Sequence, residues 1–370
     1  MNVNEYIKKA YEDRASDVHF VCGLTPRYRV DGKIEELDTE VLTSERCVQM
    51  AKELTGDKFS ELEKVGEIDL AISISNIRCR LNIFKQQGEY SAAIRLLNDR
   101  IPEVEELGLP EVVKEFTEYS QGLILITGET GSGKSTTLAA LLNRINRSKK
   151  LHILTLEDPV EYVYTPDKCL INQREIGKDT QSFSAGLRAA LREDPDVILV
   201  GEMRDLDTIQ TALTAAETGH LVFGTVHTNS AADSIDRIVD VFPAERQQQI
   251  RLQLSMTLKA VLSQQLLPKN NQSGRVLACE VMKTDDAIRN LIREGKTPQI
   301  QNSIQTTGSI GNILMDRALQ NLYRSGAISF ETMKDAMRDS SQLNGVNGLG
   351  NGLNNGLNNG LNNRPRGFMR

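Results

Sequence analysis

One stretch restricts the fold of this chain more than any other. Residues 123–137 read LILITGETGSGKSTT, so a short apolar run precedes a glycine-rich turn and residues suited to a helix. The turn matches G-x-x-x-x-G-K-[ST] at every fixed position, from Gly128 to Ser135. Strand, glycine-rich turn and helix is the context in which this pattern binds phosphate. The stretch therefore predicts a phosphate-binding loop on a buried parallel strand.

The residue types of the turn explain how it would hold a nucleotide. Gly131 and Gly133 permit backbone conformations that residues with a side chain rarely adopt, so several N–H groups can converge on phosphate oxygens. Lys134 can reach the outer phosphates, and the Ser135 hydroxyl can bind Mg²⁺. The residues expected to contact the nucleotide are Gly128, Glu129, Thr130, Gly131, Ser132, Gly133, Lys134, Ser135 and Thr136.

Composition excludes several classes of protein. A net charge of −6 gives no overall basic field for nucleic acid or an anionic membrane. The five cysteines are scattered without a C-x-x-C pair, which disfavours a zinc site or a disulfide framework. No apolar run is long enough to span a bilayer, and the charged N-terminus is unlike a signal peptide. We expect a cytoplasmic protein without a transmembrane segment, which would reach a membrane through a partner.

The chain divides by pattern into two domains, a linker and a tail. Residues 1–98 alternate strand-like and helix-like segments and predict a small α/β domain. Residues 99–110 contain two prolines and four acids and are typical of a linker. Residues 111–339 form the larger domain, with the phosphate-binding loop. In residues 340–370 Gly-Leu-Asn-Asn occurs three times, and such a composition cannot supply a packed core, which predicts a disordered tail.

Acidic residues follow the next apolar run, at residues 151–156. Acids at the carboxyl end of a parallel strand lie where α/β sheets bind ligands. We assign Glu157 and Asp158 to the metal, directly or through water, and Glu161 to catalysis. The alternative interpretation is a solvated turn that ends at Pro159.

A further apolar run, residues 197–200, ends in Gly201 and Glu202. Enzymes with this type of loop commonly carry a metal-binding acid at such a position. Here Gly201 takes that place, which makes Glu202 the best candidate to polarise the attacking water. The weaker alternative is a surface acid at a strand end.

A histidine stands at each end of the following run, at His220 and His227. His227 lies at the carboxyl end, on the ligand side, where it could contact the γ-phosphate. We count it with Lys134 among the catalytic candidates. A lone histidine is more often a satisfied polar side chain, and neither histidine has the spacing of a zinc site.

Three arginines of the first domain, Arg78, Arg80 and Arg95, lie in predicted strands. Guanidinium groups suit bidentate contact with phosphate. Taken alone, surface arginines are more often solvated or salt-bridged. Residues 286–294 (DAIRNLIRE) predict an amphipathic helix, for which an ordinary surface helix is the simplest interpretation.

These elements together resemble the secretion ATPases, which drive type II secretion and type IV pili. Gly201 in place of aspartate is itself a trait of that family. Residues 15–20 and 29–32 resemble its PAS-like N-terminal domain. The four boxes of the family match here as Walker A at 128–135, the aspartate box at 157–161, Walker B at 196–202 and the histidine box at 220–227.

Within the family, the chain is most similar to the pilus-retraction motors. Extension and secretion ATPases usually carry a tetracysteine zinc element after the histidine box, and this chain has none. The match to the helix linked to retraction consists of Ala287, Ile288, Arg289, Asn290, Leu291, Ile292, Arg293 and Glu294.

The resemblance implies an α/β fold, with a PAS-like N-terminal domain and a RecA-like domain built on a mainly parallel sheet. It implies a homohexamer that hydrolyses ATP with Mg²⁺, and a site completed by Arg78, Arg80 and Arg95. The work would pass to an inner-membrane platform protein of the pilus, so the protein would be peripheral at the cytoplasmic membrane.

Other functions stay open at this point. An extension or type II secretion ATPase is disfavoured by the missing cysteines. An ATP-binding accessory subunit with little hydrolysis is disfavoured by Glu202. A nucleic-acid translocase is disfavoured by the acidic balance and by the lack of an aromatic and basic stripe.

Overall fold

The computed structural model describes residues 1–30, 32–75, 77–97, 100–270 and 274–338. The predicted tail at 340–370 lies outside these residues. So does Asp31, which with Gly32 indicates a hairpin turn in the sequence. Contacts divide the chain into two compact units, each built from separate segments. The first comprises Met1–Leu107, Lys114–Ile124 and Lys134–Val226, and the second comprises Gly108–Val113, Leu125–Gly133 and the described chain from His227. The predicted boundaries at residues 98, 110 and 339 stay predictions.

The first unit contains an antiparallel sheet of six strands. These are β1 (Asp17–Val21), β2 (Arg27–Val30), β3 (Lys33–Glu36), β4 (Glu67–Ile74), β5 (Ile77–Gln86) and β6 (Glu89–Leu96), in the order β3-β2-β1-β6-β5-β4. Along β5, buried residues alternate with more exposed ones, as in a sheet covered on one face. The core includes apolar side chains of α1 (Val3–Glu12), α2 (Ser44–Thr55) and α3 (Phe59–Val65).

A second sheet has seven strands and is mixed. They are β7 (Gly122–Thr127), β8 (His152–Glu157), β9 (Leu170–Glu175), β10 (Val197–Val200), β11 (Leu221–Val226), β12 (Leu258–Pro268) and β13 (Arg275–Lys283), in the order β13-β12-β7-β11-β10-β8-β9. β8 pairs in parallel with β9 and β10, and β10 pairs in parallel with β11. β12 and β13 are antiparallel. Every residue of β7, β10 and β11 is buried. Packing therefore holds the ends of these strands in place.

Helices follow most of these strands. In the first unit they are α4 (Lys134–Ser148), α5 (Phe183–Ala190) and α6 (Leu206–Glu217). In the second they are α7 (Ala231–Asp240), α8 (Ala244–Thr257), α9 (Asp286–Arg293), α10 (Ile300–Thr306), α11 (Met315–Arg324) and α12 (Phe330–Ala336). Short 3-10 helices lie at Gly56–Lys58, Val104–Leu107, Glu111–Glu118, Thr297–Gln299 and Gly308–Ile310. Within the described ranges, none of the helices is both long and apolar enough to cross a membrane.

The composition of residues 243–265, rich in glutamine and arginine, predicts one long helix, and this prediction is wrong. α8 ends at Thr257, and β12 begins at Leu258. The lysine, alanine, leucine and glutamine of this segment have high helix propensity, but propensity is a weak guide where tertiary pairing competes. β12 lies between two strands of the sheet, and its residues Ala260 to Ser263 are buried. Strand pairing therefore outweighs helix propensity in this segment.

Smaller differences concern helix ends and one strand. The sequence indicates Ser44 as the N-cap of α2, but the N-cap is Thr43, because the Thr43 hydroxyl accepts from the backbone N–H of Arg46 at 3.3 Å. The sequence of residues 111–119 predicts a helix, and the structure has a 3-10 helix at Glu111–Glu118. β9, whose sequence is LINQRE, was not predicted because its polar residues give no clear apolar alternation.

Candidate nucleotide-binding and catalytic site

The phosphate-binding loop leaves β7 at Gly128, where only glycine fits. A Cβ built at this position would lie 2.4 Å from the carbonyl oxygen of Gln264 in β12 and 2.5 Å from the Ser132 hydroxyl. Gly131 has a φ of 81°, and no described atom lies within 4 Å of a Cβ built there. The backbone at Gly131 is thus in the conformation that favours glycine, and it faces open space.

One hydroxyl group of the phosphate-binding loop indicates that the loop binds a hydrogen-bond acceptor. The Ser132 hydroxyl is buried and has no hydrogen-bond partner among the described residues. Leaving a buried hydroxyl unsatisfied costs roughly 1–3 kcal/mol, so such groups usually have an explanation. A phosphate oxygen would accept this hydrogen bond. The loop therefore fits the phosphate group of a nucleotide.

The helix that follows the loop begins at Lys134, the first residue of α4. Its N-terminus adds a fractional positive charge where phosphate would bind. Ser135 is exposed, so its hydroxyl is open to a ligand from solvent. The Thr136 hydroxyl lies 3.0 Å from the Tyr162 hydroxyl. Tyr162 was not among the predicted residues, and its only signal in the sequence is its place directly after Glu161.

The acidic residues of the aspartate box, at the end of β8, differ in their exposure. Glu157 is turned inward, and its Oε1 accepts from the Thr155 hydroxyl at 2.6 Å and from the Gln173 amide at 3.3 Å. Burial raises the pKa of Glu157, and these hydrogen bonds offset the rise only in part. Asp158 is exposed and Glu161 is half-buried. Of the two proposed metal ligands, Asp158 is therefore the one open to solvent.

The donor set fits Mg²⁺ rather than a metal held by protein ligands alone. Over the described part of the chain, no group of three or more histidine, cysteine, aspartate or glutamate side chains could hold a metal ion. Mg²⁺ usually binds one or two protein ligands, with water and substrate phosphates completing its shell. Ser135 and Asp158 carry oxygen atoms of this kind, and their assignment as Mg²⁺ ligands stays a prediction.

The end of β10 explains why Gly201 replaces the usual aspartate. A Cβ there would lie 2.9 Å from the Leu156 carbonyl oxygen, so β8 approaches too closely for any side chain. The Thr225 hydroxyl donates to the Gly201 carbonyl, and the Met203 N–H donates to the Thr225 carbonyl at 3.0 Å. These bonds tie the segment that carries Glu202 to β11.

Glu202 itself is half-buried and forms an ion pair with Arg204, which is exposed. Its carboxylate thus has a cationic neighbour but keeps contact with solvent. A general base needs access to the attacking water, and this partial exposure allows it. The assignment of Glu202 as the base stays a prediction.

The two histidines of the histidine box differ. His220 Nδ1 lies 3.0 Å from the Ala215 carbonyl, so this ring satisfies the end of α6. His227 is exposed and directly follows β11. Two residues later, the Asn229 amide donates to Glu129 Oε1 of the phosphate-binding loop at 3.2 Å. Asn229 was missed, since only its closeness to His227 in the sequence could have drawn attention to it.

The three predicted phosphate arginines have different environments. Arg78 forms an ion pair with Glu175 at 3.1 Å, and both side chains are largely buried, at 15% and 11% exposure. Arg78 also donates to the Val160 carbonyl in the aspartate box. Arg95 pairs with Asp17 at 3.0 Å, and Arg80 is exposed directly opposite Arg95 in the sheet. Only Arg78 is thus brought to one of the four boxes.

The Arg95 contact perturbs its partner. Although burial raises the pKa of Asp17, hydrogen bonds from Ser16 and Arg95 hold that pKa below its ordinary value. Asp17 is therefore charged at neutral pH and keeps Arg95 on the sheet surface.

α9 has the predicted amphipathic form. Ile288 and Ile292 are fully buried, whereas Asn290, Arg293 and Glu294 are exposed. Arg289 forms an ion pair with Asp286 one turn earlier, at 2.7 Å. The helix is attached to α8, because the Gln248 amide donates to the Arg293 carbonyl at 3.2 Å.

Comparison with known proteins gives a consistent result. Residues 1–355 match the model of the family described as Type II/IV secretion system protein. The chain is 47% identical to the "Type IV pilus retractation ATPase PilT" of Pseudomonas aeruginosa, over 90% of this chain and 98% of the relative. It is 44% identical to a "Twitching motility protein" of Neisseria gonorrhoeae, over 86% of each chain.

A solved structure agrees with these relatives. The crystal structure of the pilus retraction motor PilT with bound ADP superposes with a TM-score of 0.87, at 48% identity, over 93% of this chain and 99% of that one. The predicted α/β fold and the predicted resemblance to the pilus-retraction ATPases are confirmed. The chain belongs to the type II/IV secretion system protein family, whose members include the PilT-type ATPases.

Proposed function

We propose that this chain is an ATP-hydrolysing motor that powers retraction of type IV pili. The observation that carries the proposal is the similarity over nearly the whole length of a pilus retractation ATPase, 98% of which is covered. The loop geometry adds to it, because the buried Ser132 hydroxyl needs a partner that a phosphate would provide.

The site residues take the following roles in this proposal. Lys134 and the loop N–H groups bind the outer phosphates, and Glu202 orients and polarises the water that attacks the γ-phosphate. Glu161 and His227 lie in boxes expected to face that phosphate. Ser135, Glu157 and Asp158 would hold Mg²⁺, directly or through water, and the ion would supply positive charge beside the phosphate oxygens.

The assembly is part of the proposal as well. The family resemblance supports a homohexamer in which Arg78, Arg80 and Arg95 complete the nucleotide site. The mechanical work passes to an inner-membrane platform protein of the pilus machine, so we place this protein at the cytoplasmic face of the membrane through that partner. No direct nucleic-acid contact is needed for this activity.

The test is pilus length and retraction in cells whose only copy carries Glu202→Gln. Long, abundant pili that no longer retract are expected, because extension would continue without its opponent. Loss of pili would point instead to an extension ATPase. Unchanged pili would contradict a motor role and favour an accessory subunit.

Arg78 gives a separate prediction. If it stabilises charge that develops on the transferred phosphate, Arg78→Ala should lower kcat by at least about tenfold, as for other cationic groups that act in the transition state. Steady-state phosphate release measures this. Arg27→Ala is the matched control, since Arg27 pairs with Glu36 on the surface of the same sheet and should change kcat little. Equal rates in both variants would remove Arg78 from the site.

Arg289 tests the retraction helix. Arg289→Ala removes an ion pair on the surface of α9 and leaves Ile288 and Ile292 buried, so the fold and basal ATP hydrolysis should persist. Twitching motility is expected to be lost. Arg324→Ala, on exposed surface of α11, is the control and should move normally. Normal twitching of the Arg289→Ala variant would show that this arginine of α9 is not needed for force transmission.

A further inference from the structure

A buried carboxylate lies outside every role assigned above. Glu280 of β13 is 2% exposed. Burying a carboxylate is costly unless it is paired and hydrogen-bonded. Its Oε1 accepts from the Ala231 N–H at 2.8 Å, and its Oε2 lies 3.7 Å from Arg338 Nη1. Burial raises the pKa of Glu280, and the Ala231 bond and the charge of Arg338 offset the rise only in part.

Arg338 joins this carboxylate to the segment after β11. Its Nη2 donates to the Asn229 carbonyl, and its backbone N–H donates to Asp316 Oδ1 at 3.0 Å. One guanidinium therefore contacts both β13 and residue 229. It does so from the end of the described chain, just beyond α12.

Asn229 continues the connection to the nucleotide loop. While its carbonyl accepts from Arg338, its side-chain amide donates to Glu129 Oε1 at 3.2 Å. The residues on either side are held as well. Thr228 and Ser234 hydroxyls are 2.6 Å apart, and Ser230 caps α7. Segment 228–231 is thus fixed at several points, and Asn229 is its contact with the phosphate-binding loop.

We propose that Arg338 and Glu280 are positioning residues for nucleotide binding: they hold segment 228–231 so that Asn229 fixes Glu129 and, through it, the phosphate-binding loop. This inference rests on the proposed nucleotide-binding function. Neither residue touches the phosphate. Both residues reduce the number of conformations that the phosphate-binding loop adopts without nucleotide. Less conformational entropy is therefore lost when the nucleotide binds.

Apolar packing allows this role to be separated from folding. α11 and α12 pack on β12 and β13 through Leu267, Ala278, Met315, Leu319, Ile328 and Met333. This cluster does not include the Arg338 guanidinium, so replacing that group should leave the helices in place.

The experiment measures ADP affinity by calorimetric titration in the full chain. Arg338→Met and Asn229→Ala should each weaken ADP binding about five- to tenfold, and the double variant should lose no more than the worse single variant, because both break one connection. Arg338→Lys should recover part of the affinity. Glu280→Gln, which can keep the Ala231 bond, should weaken binding in the same direction. Lys334→Met, on exposed surface of α12, is the control.

Steady-state kinetics and thermal melting separate positioning from general damage. The KM for ATP should rise in Arg338→Met and in Asn229→Ala with kcat within about twofold of the native value, because uniform binding is lost. The melting temperature should fall in Arg338→Met, which leaves the buried Glu280 carboxylate without its cationic partner, and stay unchanged in Asn229→Ala, which keeps that pair. Native ADP affinity in Arg338→Met would overturn the inference. Additive losses of ADP affinity in the double variant would also overturn it. A native chain that fails to bind ADP would instead overturn the proposed function and this inference with it.

Discussion

Replacing Lys134 by alanine is expected to reduce ATP turnover at least about a hundredfold, as loss of a single preorganised donor to developing negative charge does. Lys134 is the first residue of α4, so its ammonium group and the helix N-terminus act on the same phosphates. Alanine keeps the helix, since it has the highest helix propensity, and removes only the charge. Phosphate release and ADP titration measure the two parts of the effect.

The control for Lys134 lies just beyond the end of the same helix. Lys150→Ala removes an exposed ammonium group two residues after α4 and should leave both quantities unchanged. Native turnover in the Lys134 variant would show that the loop binds no catalytically relevant phosphate. Weak turnover with native ADP affinity would show that Lys134 stabilises the transition state and contributes little to nucleotide binding.

Replacing Glu202 by glutamine should leave ATP bound and almost unhydrolysed, with kcat lower by about 10²–10⁴, the range for loss of a general base. Glutamine has the same shape but does not accept a proton. The backbone bonds at Gly201 and Met203 that hold this segment are unaffected, so the site should keep its geometry. Affinity for ATP and single-turnover hydrolysis are the measurements.

Two further variants help to interpret slow ATP hydrolysis by the Glu202→Gln variant. Glu245→Gln changes an exposed acid in the first turn of α8 and should hydrolyse ATP normally. Arg204→Ala removes the cationic neighbour of Glu202 and tests whether that ion pair is needed. Normal turnover after Glu202→Gln would remove Glu202 as the base and turn attention to Glu161.

The local parts of the site could be predicted from the sequence. The glycines, Lys134 and Ser135 stand at adjacent positions of one motif, and an apolar run followed by an acid makes Glu202 the candidate base, which stays a prediction. These signals depend on neighbours along the chain, which a sequence displays directly. For the same reason β7, β8, β10 and β11 were predicted close to their observed bounds.

Contacts between distant residues could not be predicted in this way. The Arg78–Glu175 pair joins residues 97 positions apart, and the Asn229–Glu129 bond joins residues 100 apart. Nothing in the periodicity of either segment indicates its partner. β12 failed for a related reason, because its composition favours a helix and only its neighbours in the sheet make it a strand.

The glycines of this site have a consequence for how its variation should be interpreted. Gly131 has a positive φ and free space around it, whereas Gly201 has an ordinary backbone but lies against β8. In the sequence, both positions are written with the same letter. Yet an asparagine, which tolerates the left-handed region, suits the first position and cannot enter the second. Substitution tables for this family should therefore treat the two glycines as different sites, one limited by torsion angle and the other by volume.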